Sequence, residues 1–212
     1  MVLTGFDIVI PCKGLSSGKS RLAEVLTSRE RETLCRRLLS RTVRIAIAAA
    51  GRESVTVVSA DPGARAVAAR LGAGVLDDEG RGLNEALSLA NSRTDHPRGL
   101  MVLPIDLPLV TPELLRDAVA RTEGVGIAPD AGGTGTNLLV LAPETRRDFP
   151  FAYGPDSFAR HRDEGLARGV GVTVLSHAHL AFDLDRPADL SALGTRRIGG
   201  AGRGCVDIPP VL

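Results

Sequence analysis

The sequence predicts an α/β fold: a three-layer sandwich built on a mostly parallel sheet, with an antiparallel portion in the C-terminal half. Two observations carry this expectation. As far as Thr122, apolar runs of strand length alternate with longer helical patterns: Asp7 to Pro11 then Arg29 to Ala50, Ser54 to Ser59 then Pro62 to Leu71, and Leu100 to Pro104 then Pro112 to Thr122. Strands joined through helices run parallel, and the helices cover both faces of the sheet. From Val125 onward the rhythm changes to strand, glycine loop, strand (Gly126 to Pro129, then Asn137 to Leu141), which places antiparallel pairing there.

Local signals support each element. In the first helix Thr27 and Glu30 stand at capping-box spacing, and Leu34, Leu38 and Ile45 share one face as core residues. Thr111-Pro112-Glu113 sets a hydroxyl at the N-cap, proline at the first helical position and an acid in the first turn. After Asn137 to Leu141 a helix is expected near Ser157 to Arg168, followed by two short strands, the second ending in Phe182-Asp183-Leu184-Asp185. Residues 1–194 read as one domain. Thr195 to Leu212, rich in Gly and Arg and ending near a Pro pair, reads as a flexible tail or dimer arm.

Bulk properties narrow the function. The 212 residues are 43% hydrophobic, enough for one sizeable core. A formal charge of +1 and no basic run with interleaved aromatics argue against nucleic-acid binding. No apolar stretch approaches the roughly 20 residues needed to span a bilayer, and the N-terminus shows no signal-peptide pattern, so a cytoplasmic protein is expected. Cys12, Cys35 and Cys205 fall at no metal or redox spacing and read as incidental reduced thiols.

The most informative segment is Ile8-Val9-Ile10-Pro11-Cys12-Lys13-Gly14-Leu15-Ser16-Ser17-Gly18-Lys19-Ser20-Arg21-Leu22. Gly14 and Gly18 allow backbone N–H groups close to an anion, Ser20 adds a hydroxyl, and Lys13, Lys19 and Arg21 neutralise phosphate charge. A Walker A loop needs glycine five residues before Gly18-Lys19-Ser20; that position is Lys13, so the loop belongs to another phosphate-binding class.

Acids follow at two strand ends. Asp106, in Pro104-Ile105-Asp106-Leu107-Pro108, emerges at the carboxyl edge of the sheet, either as a metal ligand or as a turn cap between prolines. Asp183 and Asp185 flank Leu184, so alternation puts both on one side; either completes a Mg²⁺ site with Asp106 or caps a helix before Pro187. Gly132-Gly133-Thr134-Gly135-Thr136-Asn137 is either an anion-binding loop or a simple hairpin. Gly154-Pro155-Asp156-Ser157 leads into a helix and either holds an anion at its positive end or caps it. Gly82-Leu83-Asn84 also enters a helix, with Asn84 either reading a base or ribose or acting as a cap. His177 and His179 lack further metal partners, and His161 lies one turn beyond Ser157, within reach of an anionic ligand.

Taken in order, these motifs resemble one family: the 2-phospho-L-lactate or phosphoenolpyruvate guanylyltransferases of coenzyme F-420 biosynthesis. The resemblance runs from about Asp7 to Leu193, departing where Cys12 splits the proline–lysine pair and where Gly18 replaces a usual alanine. It implies a Rossmann-like nucleotidyltransferase sheet and transfer of GMP from GTP to a small phospho-carboxylic acid, with pyrophosphate released. By position it implies Lys13, Lys19 and Arg21 as catalytic cations and Gly14, Ser20, Gly82 and Asn84 on GTP. It further implies Thr136, Gly154 and Ser157 on the acceptor, and Mg²⁺ on Asp106 and Asp183. Phosphoenolpyruvate is the favoured acceptor, with 2-phospho-L-lactate and 3-phospho-D-glycerate as alternatives. Another cofactor- or sugar-phosphate nucleotidyltransferase and a noncatalytic nucleotide-binding regulator are the rival readings. A homodimer is compatible with the tail.

Overall fold

The structure is a computed structural model that describes residues 3–93 and 97–198, the side chains of 195–198 excepted. In chain order the elements are β1 (Phe6–Pro11), α1 (Ser28–Ala50), β2 (Val55–Val58), α2 (Pro62–Leu71), β3 (Gly74–Leu76), α3 (Leu83–Ser92), β4 (Gly99–Val102), α4 (Pro112–Ala120), β5 (Val125–Pro129), β6 (Thr136–Leu141), α5 (Pro143–Arg146), α6 (Ser157–Ala167), β7 (Val172–Val174), α7 (Ala178–Ala181) and α8 (Pro187–Ile198). The strands form one seven-stranded sheet in the order β3-β2-β1-β4-β6-β5-β7. Only β6 is reversed: it pairs antiparallel with β4 and β5, while the other neighbours are parallel.

The sandwich follows from period-two burial. Ile8, Ile10, Met101, Leu138 and Val140 face α1, α2 and α4 in one apolar cluster. The intervening Val9, Leu100, Val102, Leu139 and Leu141 face α3 and Phe149 and Phe151 in a second. Successive side chains on a strand point to opposite faces, so these strands must be covered on both sides. A third cluster, Leu22, Leu34, Leu38, Leu109, Leu184 and Leu193, lies beneath the candidate site.

The predicted starts hold. Thr27 and Glu30 form a complete capping box, and Thr111 accepts from Leu114 N–H with Pro112 at the helix start. Satisfying otherwise orphaned N–H groups in this way contributes roughly 1 kcal/mol per helix. One expectation fails. Among the described residues only β7 follows α6 as a strand; the place of the second predicted strand is taken by α7 and the extended residues 182–185. His177 Nδ1 accepts from His179 N–H at 3.1 Å and starts the helix. Leu184 is then drawn into the third cluster, its N–H donating to Asp106 O at 2.8 Å, outside the sheet. α8 runs to Ile198, across the expected boundary at 194, and residues 199–212 of the expected tail lie outside the described residues. No helix among the described residues is long and apolar enough to cross a membrane.

Candidate active site

The first loop leaves the carboxyl end of β1 and turns sharply at Gly14, where φ is +143° and an added Cβ would stand 2.8 Å from Ser17 Oγ. Asp61, the N-cap of α2, ties this loop down by accepting from Leu15 N–H at 2.6 Å and from Gly63 and Ala64 N–H. Burial works to raise the Asp61 carboxyl, but these backbone donors outweigh it and hold it below its usual range. Its sequence signal is a helix-start acid before proline; the loop contact was not legible. The thiols of Cys12 and Cys35 are buried and free, and burial pushes Cys12 up to about 11, as expected for inert thiols. Cys205 lies outside the described residues.

Lys19 sits in the left-handed region at φ 55°, a conformation that costs a non-glycine residue free energy and clusters at functional sites. This backbone turns its side chain inward, where only 7% of it is exposed. Its Nζ donates to Asp106 Oδ2 at 3.1 Å and lies 3.7 Å from Asp185 Oδ1. Arg21 bonds the other oxygen of Asp185. Asp185 is therefore an ion-pair partner, and the capping of α8 falls to Asp189, which accepts from the N–H groups of Asp185 and Arg186. Lys13 and Ser20 stay exposed at the rim.

Three carboxylates thus converge, because Leu184 is buried and its neighbours are turned the other way. Burial raises the Asp183 carboxyl above its usual range, followed in size by the charge of Asp106; Asp185 adds to the rise and Lys19 opposes it. An all-oxygen, mutually repelling donor set of this kind fits a hard divalent cation. No group of three or more His, Cys, Asp or Glu side chains is set to hold a metal by itself among the described residues. Mg²⁺, which keeps waters and substrate phosphates as ligands, does not require one.

Beside these acids lies a polar network at the end of β6. Thr136 N–H donates to Ser157 Oγ at 2.9 Å, and Thr136 Oγ1 lies 3.0 Å from His161 Nδ1. The opposite nitrogen, His161 Nε2, accepts from Ala152 N–H at 3.0 Å. His161 is fully buried and both ring nitrogens are engaged by protein, so it does not reach a ligand as its position in the sequence suggested. Burial, aided by the charge of Arg160, drives it down to about 4. Tyr153 packs edge-on against it at 5.0 Å between ring centroids.

Asn84 links this network to the start of α3. Its Oδ1 accepts from Tyr153 N–H at 2.8 Å and its Nδ2 donates to Tyr153 O at 3.1 Å, so both amide atoms are spent on that backbone. Gly82, not Asn84, is the N-cap of α3. The Tyr153 hydroxyl is buried without a protein hydrogen-bond partner. Burial raises the phenol further above its ordinary value, and the charge of Asp106 adds to that. The next residue, Gly154, needs its φ of +127° to bring the chain round into α6. No side chain caps α6, so neither Asp156 nor Ser157 is its side-chain cap. The loop of residues 132–135 turns between antiparallel strands, and Gly133 and Thr134 N–H are both taken up by Asp130. Asn137 donates to Leu180 O at 2.9 Å and holds α7 in place.

A sheet of this order, with a glycine-rich loop, a lysine and acids at its carboxyl edge, suits nucleotidyl transfer, and the family match gives that class: the chain is a nucleotidyltransferase. The chain belongs to the family described as guanylyl transferase CofC like, which matches residues 6–200. It is 42% identical over 193 residues to a phosphoenolpyruvate guanylyltransferase of Rubrobacter xylanophilus, covering 87% of this chain and 91% of that protein. Among solved structures it resembles a nucleotidyl transferase from Methanothermobacter thermautotroptrophicus with a TM-score of 0.66 at 15% identity, covering 92% of this chain and 98% of that one. It also resembles a glucosyl-3-phosphoglycerate synthase from Mycobacterium tuberculosis in complex with Mg²⁺ and uridine-diphosphate, with a TM-score of 0.58 at 14% identity, covering 91% of this chain and 76% of that one. The chain is accordingly a GTP-dependent guanylyltransferase.

Proposed function

We propose that the enzyme transfers GMP from GTP to the phosphate of phosphoenolpyruvate, releasing pyrophosphate, as a step in coenzyme F-420 biosynthesis. The observation that carries this reading is the adjacency of two chemically different half-sites. A cationic and acidic cluster at Lys19, Asp106 and Asp185 lies near Tyr153, whose ring packs on His161, and His161 in turn bonds Thr136, which with Ser157 forms a hydroxyl pair. The relatives named phosphoenolpyruvate guanylyltransferase support the choice of acceptor.

Both substrates are anions, so the obstacle is repulsion and misalignment, and fixed charge addresses both. Lys13, Lys19 and Arg21 neutralise the triphosphate, and Gly14, Ser20 and Gly82 line its path. Asn84 belongs to this side and, through Tyr153, holds the acceptor loop next to the nucleotide. Asp106 and Asp183 would hold Mg²⁺, which when bound neutralises phosphate charge and polarises the α-phosphorus. Thr136, Gly154 and Ser157 hold the acceptor. An acceptor phosphate oxygen bonds to the α-phosphorus while the bond to the bridging oxygen of the β-phosphate breaks, and pyrophosphate carries away that electron pair. No covalent enzyme intermediate is required.

The test is pyrophosphate release with GTP and Mg²⁺, in parallel arms with phosphoenolpyruvate, 2-phospho-L-lactate, 3-phospho-D-glycerate and no acceptor, followed by mass analysis. Release with phosphoenolpyruvate and a product bearing GMP is expected. Release only with another acid reassigns the acceptor, and GTP binding without release in any arm removes the reading.

A further inference from the structure

We propose that His161 is a positioning residue that sets the hydrogen-bond polarity of the acceptor site, so that Thr136 and Ser157 enter it as donors to an anion. The proposal rests on the assignment of those two hydroxyls to the acceptor, and it follows from counting donors.

A backbone N–H can only donate, so the 3.0 Å contact from Ala152 N makes His161 Nε2 the acceptor. A neutral imidazole with a lone pair on Nε2 carries its proton on Nδ1. That proton is donated to Thr136 Oγ1, 3.0 Å away. The Thr136 hydroxyl therefore accepts within the protein, and its own O–H is left to face a ligand. The same logic holds for Ser157, whose Oγ accepts from Thr136 N–H at 2.9 Å. Ionised carboxylate and phosphate oxygens only accept, and two hydroxyls that each already accept a bond from the protein, with the O–H uncommitted, are matched to them.

The alternatives are penalised where they arise. The other tautomer, or a protonated ring, turns an N–H against Ala152 N–H, two donors face to face. Phe149 and Tyr153 pack around the ring, at 6.1 and 5.0 Å between centroids, and keep it from rotating. No cation bonds to Thr136 or Ser157 among the described residues; Lys19 and Arg21 bond the acids. The acceptor is then chosen by directed neutral donors, which depend on position more steeply than a point charge does and suit discrimination among small phospho-acids.

Two substitutions separate the two ring nitrogens. In His161→Asn the amide nitrogen replaces Nδ1 and keeps the bond to Thr136; in His161→Gln the amide oxygen replaces Nε2, keeps the bond to Ala152 and gives up Thr136. With thermal unfolding confirming that each variant is folded, His161→Gln is expected to raise the acceptor KM about tenfold with the KM for GTP unchanged. His161→Asn is expected to leave the acceptor KM near that of the wild type. In a Thr136→Val background, His161→Gln is expected to add nothing further. Equal KM effects of Asn and Gln, or independent effects in the double variant, overturn the proposal. If Thr136→Val itself leaves the acceptor KM unchanged, the acceptor-site assignment fails, and the proposal with it. Two-bond ¹H–¹⁵N spectra of the wild type read the tautomer without any substitution: a neutral ring protonated at Nδ1 is expected near pH 7, and an Nε2-protonated or doubly protonated ring overturns the proposal.

Discussion

Lys19 donates to Asp106 across 3.1 Å, joining residues 87 positions apart at the carboxyl edge of the sheet. The lysine is oriented by a left-handed backbone at the entrance to the Ser20–Leu22 turn, and that turn is anchored by fully buried Leu22. Replacing Lys19 by Met removes the central cation while keeping most of the side-chain volume. Turnover is expected to fall by about 10²-fold or more, by analogy with the loss of one electrostatic donor in other active sites. Steady-state rates, read with circular dichroism to show retained fold, check this.

Asp183 carries a carboxyl raised by burial and then by neighbouring acids, so its ionised form opposes folding. The sign follows from linkage: with a folded pKa above the unfolded one, stability falls as pH rises through the carboxylate range. Asp183→Asn should therefore abolish turnover while leaving the melting temperature at pH 7, without added metal, equal to or above that of the wild type. A lower melting temperature would show that the charge is satisfied in the fold.

His161 predicts the opposite pH response. Its folded value is lowered to about 4 from 6.5, so the unfolded chain binds the extra proton first. The stability tied to the neutral ring is fully present above the unfolded value and lost as pH falls from 6.5 toward 4. At 1.36 kcal/mol per unit this amounts to roughly 3 kcal/mol. Chemical denaturation at several pH values should show the loss in that window, and a folded His161→Asn variant should show less of it.

The Tyr153 hydroxyl is buried without a protein partner. Removing a polar group that makes no hydrogen bond relieves a desolvation cost of about 1 kcal/mol or more. Tyr153→Phe should melt at the same temperature or higher. A clear drop in melting temperature would reveal a bond that the geometry does not contain.

The sheet, the reversed strand and most helix starts were readable because they depend on local rules. The apolar runs at Ile8 to Ile10 and Leu138 to Leu141, the Thr27–Glu30 capping box and the Thr111-Pro112 start each express a preference confined to a few residues. The strand expected through Phe182 to Asp185 shows the limit of such rules. Its alternation is real, but the segment pairs with no strand, and the burial of Leu184 beneath Asp106 supplies the same pattern without one.

By itself the sequence determined the chemistry on offer: a glycine-rich loop with three cations, acids at two chain positions and paired hydroxyls beside glycines. Composition and order along the chain suffice for that, because residue type sets charge, donor count and backbone freedom. Only the tertiary structure decided who meets whom. It paired Lys19 with Asp106 and Asp185, left the Asp183 carboxyl in a crowded and half-buried place, spent Asn84 on Tyr153, and closed His161 between Thr136 and Ala152. Those pairings join residues as much as 166 positions apart, as for Lys19 and Asp185, and no local preference encodes them. They follow from packing: burying Leu22, Leu34, Leu38 and Leu184 in one cluster fixes the backbones that carry the polar groups, and the hydrogen bonds form between whatever that packing brings within reach.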